Sequence, residues 1–397
     1  LAASEDNTGV AIYGAGEMLG FVRDGLAATR ADLVQLTGLA RSTVAQRVDA
    51  LLAGGYLVAV QATTSSGGRP PTVLDFNAGR GVVLAVDLGA TGCRIALTDL
   101  EATVVEEEVH RLAIGQEPDS TLGWIEGRLD ALLEAKGRGR EELLAAGIGI
   151  PAPVDHECGR PVSPPLMPGW NDFPLGERLG ERLGCPVLVD NDANVMALGE
   201  HRLNWTGVEH LLFVKASTGI GCGIIAGGQV YRGGDGAAGD IGHFPVPHRA
   251  DRVCACGQRG CLEALASGAA LAAQLTEQGL PASGAREVMA LVQEGEPRAL
   301  AATRQAGRDI GVVLASIVNF FNPQVIVFGG TIADAGEDLL AGAREVVYQR
   351  SPPLATRHLR IVPSTARGRA GVVGSAVMAI EHILDPAAVD AELAGLA

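Results

Sequence analysis

The order of apolar and glycine-rich segments predicts an α/β protein: a small helical arm with a β-hairpin, followed by a larger body in which one α/β unit is repeated around a cleft. Two observations predict the body. Residues 81–150 read as three strands, a helix and a fourth strand, and a second set opens with strands at Leu211 to Ala216 and Cys222 to Ala226 and ends in an apolar strand at Gln324 to Phe328. Glycine numbers 54 among 397 residues while aromatics make up only 4%, a balance suited to many tight loops. The third observation, helical periodicity followed by a hairpin pattern in residues 17–76, predicts the arm.

In the arm, Leu19, Val22 and Leu26 recur at helical spacing. Thr29-Arg30-Ala31-Asp32 has the form of a capping box and opens a second helix that stops at Gly38. The third helix places Val44, Val48, Leu51 and Leu52 on one face, leaving Arg41, Ser42, Thr43, Gln46 and Arg47 mostly on the other. A helix, a glycine turn and a helix with small polar and Arg residues near its start is what a helix-turn-helix needs to lay a recognition helix in the major groove. Arg can bridge guanine, Gln can bridge adenine, and Ser or Thr can hold phosphates. Tyr56 to Val60 and Thr72 to Phe76 then read as the strands of a wing, whose tip would put Arg69 against the DNA backbone or minor groove. The alternative is a three-helix interaction domain with a solvated Arg face.

Charge agrees with that division. The formal net charge is −15, yet residues 21–80 carry six Arg against four acids, so the acidity belongs to the body. A content of 47% hydrophobic and 19% charged residues excludes a disordered chain, and the length calls for more than one domain. The expected domains are a winged helix-turn-helix at 1–80 and a body at 81–397. Its first lobe would span about 81–190 with a C-terminal return through Ala366 to Leu384, its second about 191–365, and residues 386–397 would be a short tail. Without a long apolar run, neither a signal peptide nor a membrane partner is expected, and the compartment is cytoplasmic.

Within Gly239 to Glu263, His243, Cys254, Cys256 and Cys261 fall in nineteen residues. Three thiolates and an imidazole make the closed tetrahedral set of a structural Zn2+. Reduced, unliganded cysteines are the alternative; disulfides fit less well, because Cys93, Cys158, Cys185 and Cys222 are scattered. Asp240 and Glu263 flank the ligands and would stand at the mouth of a cleft.

The chain resembles the ROK family of repressors and sugar kinases over nearly its whole length. The resemblance rests on DLGATG at 87–92, GIGIPAPVD at 147–155, DNDANVMALGE at 190–200, STGIGCGI at 217–224, GAAGDIGH at 236–243, CACGQRGCLE at 254–263 and NPQVIVFGG at 322–330. It implies an actin-like, ribonuclease-H-like pair of lobes, with the winged arm marking the repressor branch. It also implies that Asn191, Asp192, Asp240, His243 and Glu263 hold a sugar, with Asp192 the catalytic base if the protein is a kinase. Asp87, Gly89, Thr91, Thr218, Gly219, Gly329 and Gly330 would then lie along the nucleotide. Turn and cap roles for Asp190, Asn191, Asp192 and Asn194 are the competing account.

Departures from the kinase pattern weigh against ATP and Mg2+ as cofactors. Ala90 and Gly92 stand where kinases carry Gly and Lys, Ser217 and Thr331 replace glycines, Asp240 replaces Glu, and Ala152 replaces Gly. Side chains on glycines that let phosphates approach backbone amides remove contacts directly. The resemblance therefore implies a sugar-responsive transcriptional regulator, a repressor with operator DNA and a monosaccharide effector as partners, working as a homodimer or homotetramer. An ATP-dependent sugar kinase carrying a DNA-binding arm is the second reading, and an interaction protein using only the zinc-stiffened fold is the third.

Overall fold

The computed structural model describes residues 13–61, 72–112, 114–115, 117–247, 249–250 and 252–395. Two compact units are present: Leu1–Val82 with Asp99–Glu101 and Ile380–Ala397, and Val83–Thr98 with Ala102–Ala379.

In the first unit the helices are Ala15–Arg23, Arg30–Thr37 and Arg41–Ala53. The capping box forms as written in the sequence, with the Asp32 amide donating to Thr29 Oγ1 at 3.2 Å and the Thr29 amide donating to Asp32 Oδ2 at 2.8 Å. Gly38 ends that helix at φ 69°, a conformation open to glycine without cost. Val44, Val48 and Leu51 of the third helix are fully buried. Strands β1 (Leu57–Gln61) and β2 (Thr72–Phe76) pair antiparallel, Leu57 opposite Phe76. The tip of this hairpin, Arg69 included, lies outside the described residues.

The expected C-terminal tail is instead a helix, Pro386–Gly395, built into this unit. Asp390 Oδ1 accepts from the amides of Ala15 (2.8 Å) and Gly16 (3.0 Å), supplying the N-terminal cap that Gly14 cannot. Glu392 accepts from Tyr56 Oη at 2.7 Å and pairs with Arg80, and Val389 is fully buried. Sequence reading missed the helix because Pro-Ala-Ala-Val-Asp-Ala-Glu-Leu-Ala-Gly has no clear apolar stripe.

The second unit holds two five-stranded sheets. One takes β3 (Val82–Leu88), β4 (Cys93–Thr98), β5 (Val104–His110), β6 (Leu143–Ile150) and β9 (Val187–Asn191) in the order β5-β4-β3-β6-β9. A two-residue hairpin, β7 (Val154–Asp155) and β8 (Arg160–Pro161), follows β6. The other sheet takes β10 (His210–Ala216), β11 (Ile220–Ala226), β12 (Gln229–Val230), β13 (Val325–Gly329) and β14 (Arg360–Pro363) in the order β12-β11-β10-β13-β14. By rank within each set the two orders are identical, with an antiparallel first trio and a parallel last pair in each. The duplication read from the sequence is therefore present in the strand topology. Helix Ala370–Ile383 returns to the first sheet, where Ser375 Oγ donates to the Val86 carbonyl at 3.1 Å. No single helix among the described residues is long and apolar enough to cross a membrane.

Candidate functional site

A cleft of about 860 Å³ is lined from both sheets of the second unit. Asn191, Asp192, Asp240, His243 and Glu263 all reach it, as do Asp87, Gly89, Thr91, Thr218 and Gly219. Gly329 and Gly330 do not belong to its lining, although their neighbour Thr331 does. Packing accounts for both glycines. A Cβ on Gly329 would stand 2.5 Å from the Phe213 ring, and one on Gly330 (φ 95°) would stand 2.7 Å from the Ala216 carbonyl.

Strand β9 runs directly into helix Asp192–Asn204, so four polar residues turn at one corner of the cleft. Their roles divide. Asp190 is buried and accepts from the Asn191 amide (2.7 Å), Asn194 Nδ2 (2.9 Å) and Arg232 Nε (2.7 Å). Asn191 caps the helix through Oδ1 to the Ala193 amide (2.9 Å), and its Nδ2 donates to the Ala152 carbonyl at 3.0 Å. The turn-and-cap account therefore describes Asp190, Asn191 and Asn194 well. Asp192 differs: its carboxylate lies in the cleft wall and receives a hydrogen bond from Lys215 Nζ.

Lys215 was not singled out in the sequence, yet a signal exists. It interrupts β10, whose residues Leu211, Leu212, Phe213, Val214 and Ala216 are all buried. An ammonium in such a strand needs an acid partner.

Asp87 sits on the other side of the same charges. Burial first, then the Asp192 charge, pushes its carboxyl up to about 7, while Lys215 and Arg94 pull the other way; burial, and after it the Asp87 charge, raises the Cys93 thiol. Because the folded pKa exceeds the unfolded one, folding binds a proton here, and the associated stability is full below about pH 4 and lost as pH rises through 7. Unfolding of the wild type and of Asp87→Asn, compared from pH 4 to 8, is expected to show the wild type losing ground by on the order of 3 kcal/mol and levelling off above neutrality. Parallel stability curves for the two proteins would refute a buried, raised Asp87.

The turn at the first loop is closed on itself, the Gly89 amide donating to the Gly92 carbonyl at 2.7 Å. Across the cleft, the hydroxyls of Ser217 and Thr331 are hydrogen-bonded at 3.2 Å. Ser217 and Thr331 thus join the second loop to the end of β13.

His243, Cys254, Cys256 and Cys261 converge, with one ligand atom from each lying within 4.8 Å of all the others. Cys254 Sγ is 3.6 Å from His243 Nδ1, and Cys256 Sγ is 3.7 Å from Cys261 Sγ. A tetrahedron with metal–ligand bonds of about 2.0–2.3 Å has edges of about 3.3–3.8 Å, so both spacings fit. None of the cysteines is disulfide-bonded. Burial pushes the Cys261 thiol up to about 12, whereas the Gln258 amide lowers that of Cys256. Gly260, at φ 73°, lets the loop close: a Cβ there would stand 2.5 Å from the Arg249 carbonyl. His243 and Cys256 also line the cleft, so the cluster forms part of its wall.

On the third helix, Arg41, Ser42 and Gln46 are exposed and Thr43 and Arg47 are half-buried. Arg47 Nη1 is buried with no hydrogen-bond partner. That guanidinium is held close to the unit rather than extended.

Three N-terminal helices and a hairpin ahead of a duplicated two-sheet α/β body define the class of protein, one that shares its body with sugar kinases. The ROK family model matches residues 83–382, and the chain belongs to the ROK family. The chain is 30% identical over 371 residues to the xylose repressor of Caldicellulosiruptor bescii, covering 90% of this chain and 92% of that one. A solved ROK family transcriptional regulator, a homologue of the E. coli MLC protein, superposes with a TM-score of 0.80 at 25% identity over 96% of this chain and 98% of its own. The ROK hexokinase from Thermus thermophilus matches at 32% identity with a TM-score of 0.65, over 77% of this chain and 99% of its own.

Proposed function

We propose that this protein is a sugar-responsive transcriptional repressor of carbohydrate metabolism genes, cytoplasmic and acting as a homodimer or homotetramer. The observation that carries the reading is coverage: the regulator is matched across 96% of the chain, arm included, while the hexokinase accounts for 77%. The first unit is a winged helix-turn-helix that presents Arg41, Ser42, Thr43 and Gln46 to operator DNA, with Arg69 on the wing and with Arg47 reaching the DNA once its guanidinium swings out from the unit. The second is an actin-like pair of lobes whose cleft binds a monosaccharide through Asn191, Asp192, Asp240, His243 and Glu263. Zn2+ held by His243, Cys254, Cys256 and Cys261 cross-links the cleft wall and takes no part in chemistry, since four protein ligands leave no open position. His243 uses Nδ1 in the cluster, which leaves Nε2 for a ligand hydroxyl.

Kinase activity is the competing reading, with Asp192 as base and ATP and Mg2+ as cofactors. The Ser217–Thr331 hydrogen bond counts against it, because it joins two side chains that stand where the resemblance gives kinases glycines, and glycines let phosphates approach backbone amides. ADP release in the presence of ATP, Mg2+ and a panel of hexoses and pentoses, abolished by Asp192→Asn, would install the kinase reading in its place.

The direct test is titration of promoter DNA from the protein's own chromosomal neighbourhood, with and without sugars, at several salt concentrations. Affinity is expected to fall steeply with salt despite the acidic body, because only the arm faces phosphate. The Arg41→Ala, Arg47→Ala double variant is expected to lose on the order of 2–4 kcal/mol of operator binding. Wild-type affinity in that variant would show that the recognition helix is misassigned.

A further inference from the structure

We infer that Lys215 is a ligand-binding and specificity-determining residue: with Asp192 it forms a donor–acceptor pair that grips neighbouring hydroxyls of an unphosphorylated sugar. The inference rests on the sugar-cleft reading above and adds a residue and a chemical class to it.

Both side chains line the cleft and are largely withdrawn from water, Lys215 being 14% and Asp192 5% exposed. The ammonium bonds Asp192 Oδ2, which leaves Oδ1 to accept and two ammonium hydrogens to donate. A sugar hydroxyl is both donor and acceptor, so two adjacent hydroxyls match this pair, one donating a hydrogen bond to the carboxylate and the other accepting one from the ammonium. Phosphoryl transfer requires positioned phosphates, and the Ser217–Thr331 bond ties together the two loops that replace kinase glycines. The corner thus becomes a hydroxyl sensor.

The experiment uses the full zinc-loaded chain and calorimetric titration with D-xylose, D-glucose and the monodeoxy derivatives of whichever sugar binds. In the wild type, one deoxy derivative is expected to bind about 10- to 100-fold more weakly, as expected for losing a hydrogen bond to a charged group in a desolvated site. Lys215→Thr is expected to lose about the same factor for the parent sugar and to bind parent and deoxy derivative alike. A Lys215 that merely supports the fold would weaken both equally and leave their ratio intact. Lys215→Arg, which keeps the charge, is expected to retain part of the discrimination and guards against a misfolded threonine variant. Undiminished deoxy discrimination in Lys215→Thr would overturn the proposal while sparing the sugar cleft; a wild type that binds neither sugar would remove both.

Discussion

Deleting residues 386–397 is expected to unfold the DNA-binding arm while leaving the body folded. The deletion removes the Asp390 cap on two amides at the start of helix Ala15–Arg23, the Glu392 contacts to Tyr56 and Arg80, and the fully buried Val389. Losing a cap costs about 1 kcal/mol and uncovering a buried aliphatic side chain about 2 kcal/mol, and Tyr56 and the amides of Ala15 and Gly16 lose their partners as well. For a unit of this size such a loss is a large fraction of its total stability. Calorimetry should show the transition of the arm lowered or absent and that of the body retained, with operator binding lost and sugar binding kept. Asp390→Ala alone should lower only the arm transition, by roughly the capping term. If the deletion variant still binds operator with wild-type affinity, the helix is dispensable and its contacts are incidental.

Replacing Cys254 with serine is expected to release the metal and destabilise the body by on the order of 4 kcal/mol, because a ligand set that exists only in the folded state converts metal affinity into folding free energy. Cys254 suits the test better than Cys256: it is buried and does not line the cleft, so its effect on sugar binding must pass through the cluster. Zinc stoichiometry should fall from one to zero, and sugar affinity should fall with it, since His243 and Cys256 lose their anchor in the cleft wall. Wild-type melting and sugar binding in a zinc-free Cys254→Ser protein would show that the cluster is not structural.

What could be read from the residue order was what local chemistry determines. The Thr29–Asp32 box, the Gly38 stop and the metal cluster each lie within a short stretch, and each appears where its spacing placed it. The succession of strands and their duplication were legible for the same reason, since each unit carries its own turns, but the order of neighbours in each sheet and the strands β12 and β14 were not. The features that escaped depend on partners far apart in sequence. Asp390 and Ala15 are separated by 375 positions, Ser217 and Thr331 by 114, and Lys215 and Asp192 by 23. In the polar corner after β9, residue types suited equally to capping and to ligand binding were divided between those roles only by the folded geometry. Gly329 and Gly330 show the same limit, for close packing against Phe213 and Ala216 selects glycine as strictly as a nucleotide would.

The cap supplied by Asp390 also links two stretches that are made far apart in time during synthesis. The residues of the first helix are made well before position 390, and until then the amides of Ala15 and Gly16 are left to water. The first unit is therefore expected to reach its full stability only once residues 386–395 have been made. A product that ends before position 386 is then expected to carry the third helix on a weakened first unit, and to compete poorly with complete chains for the same DNA.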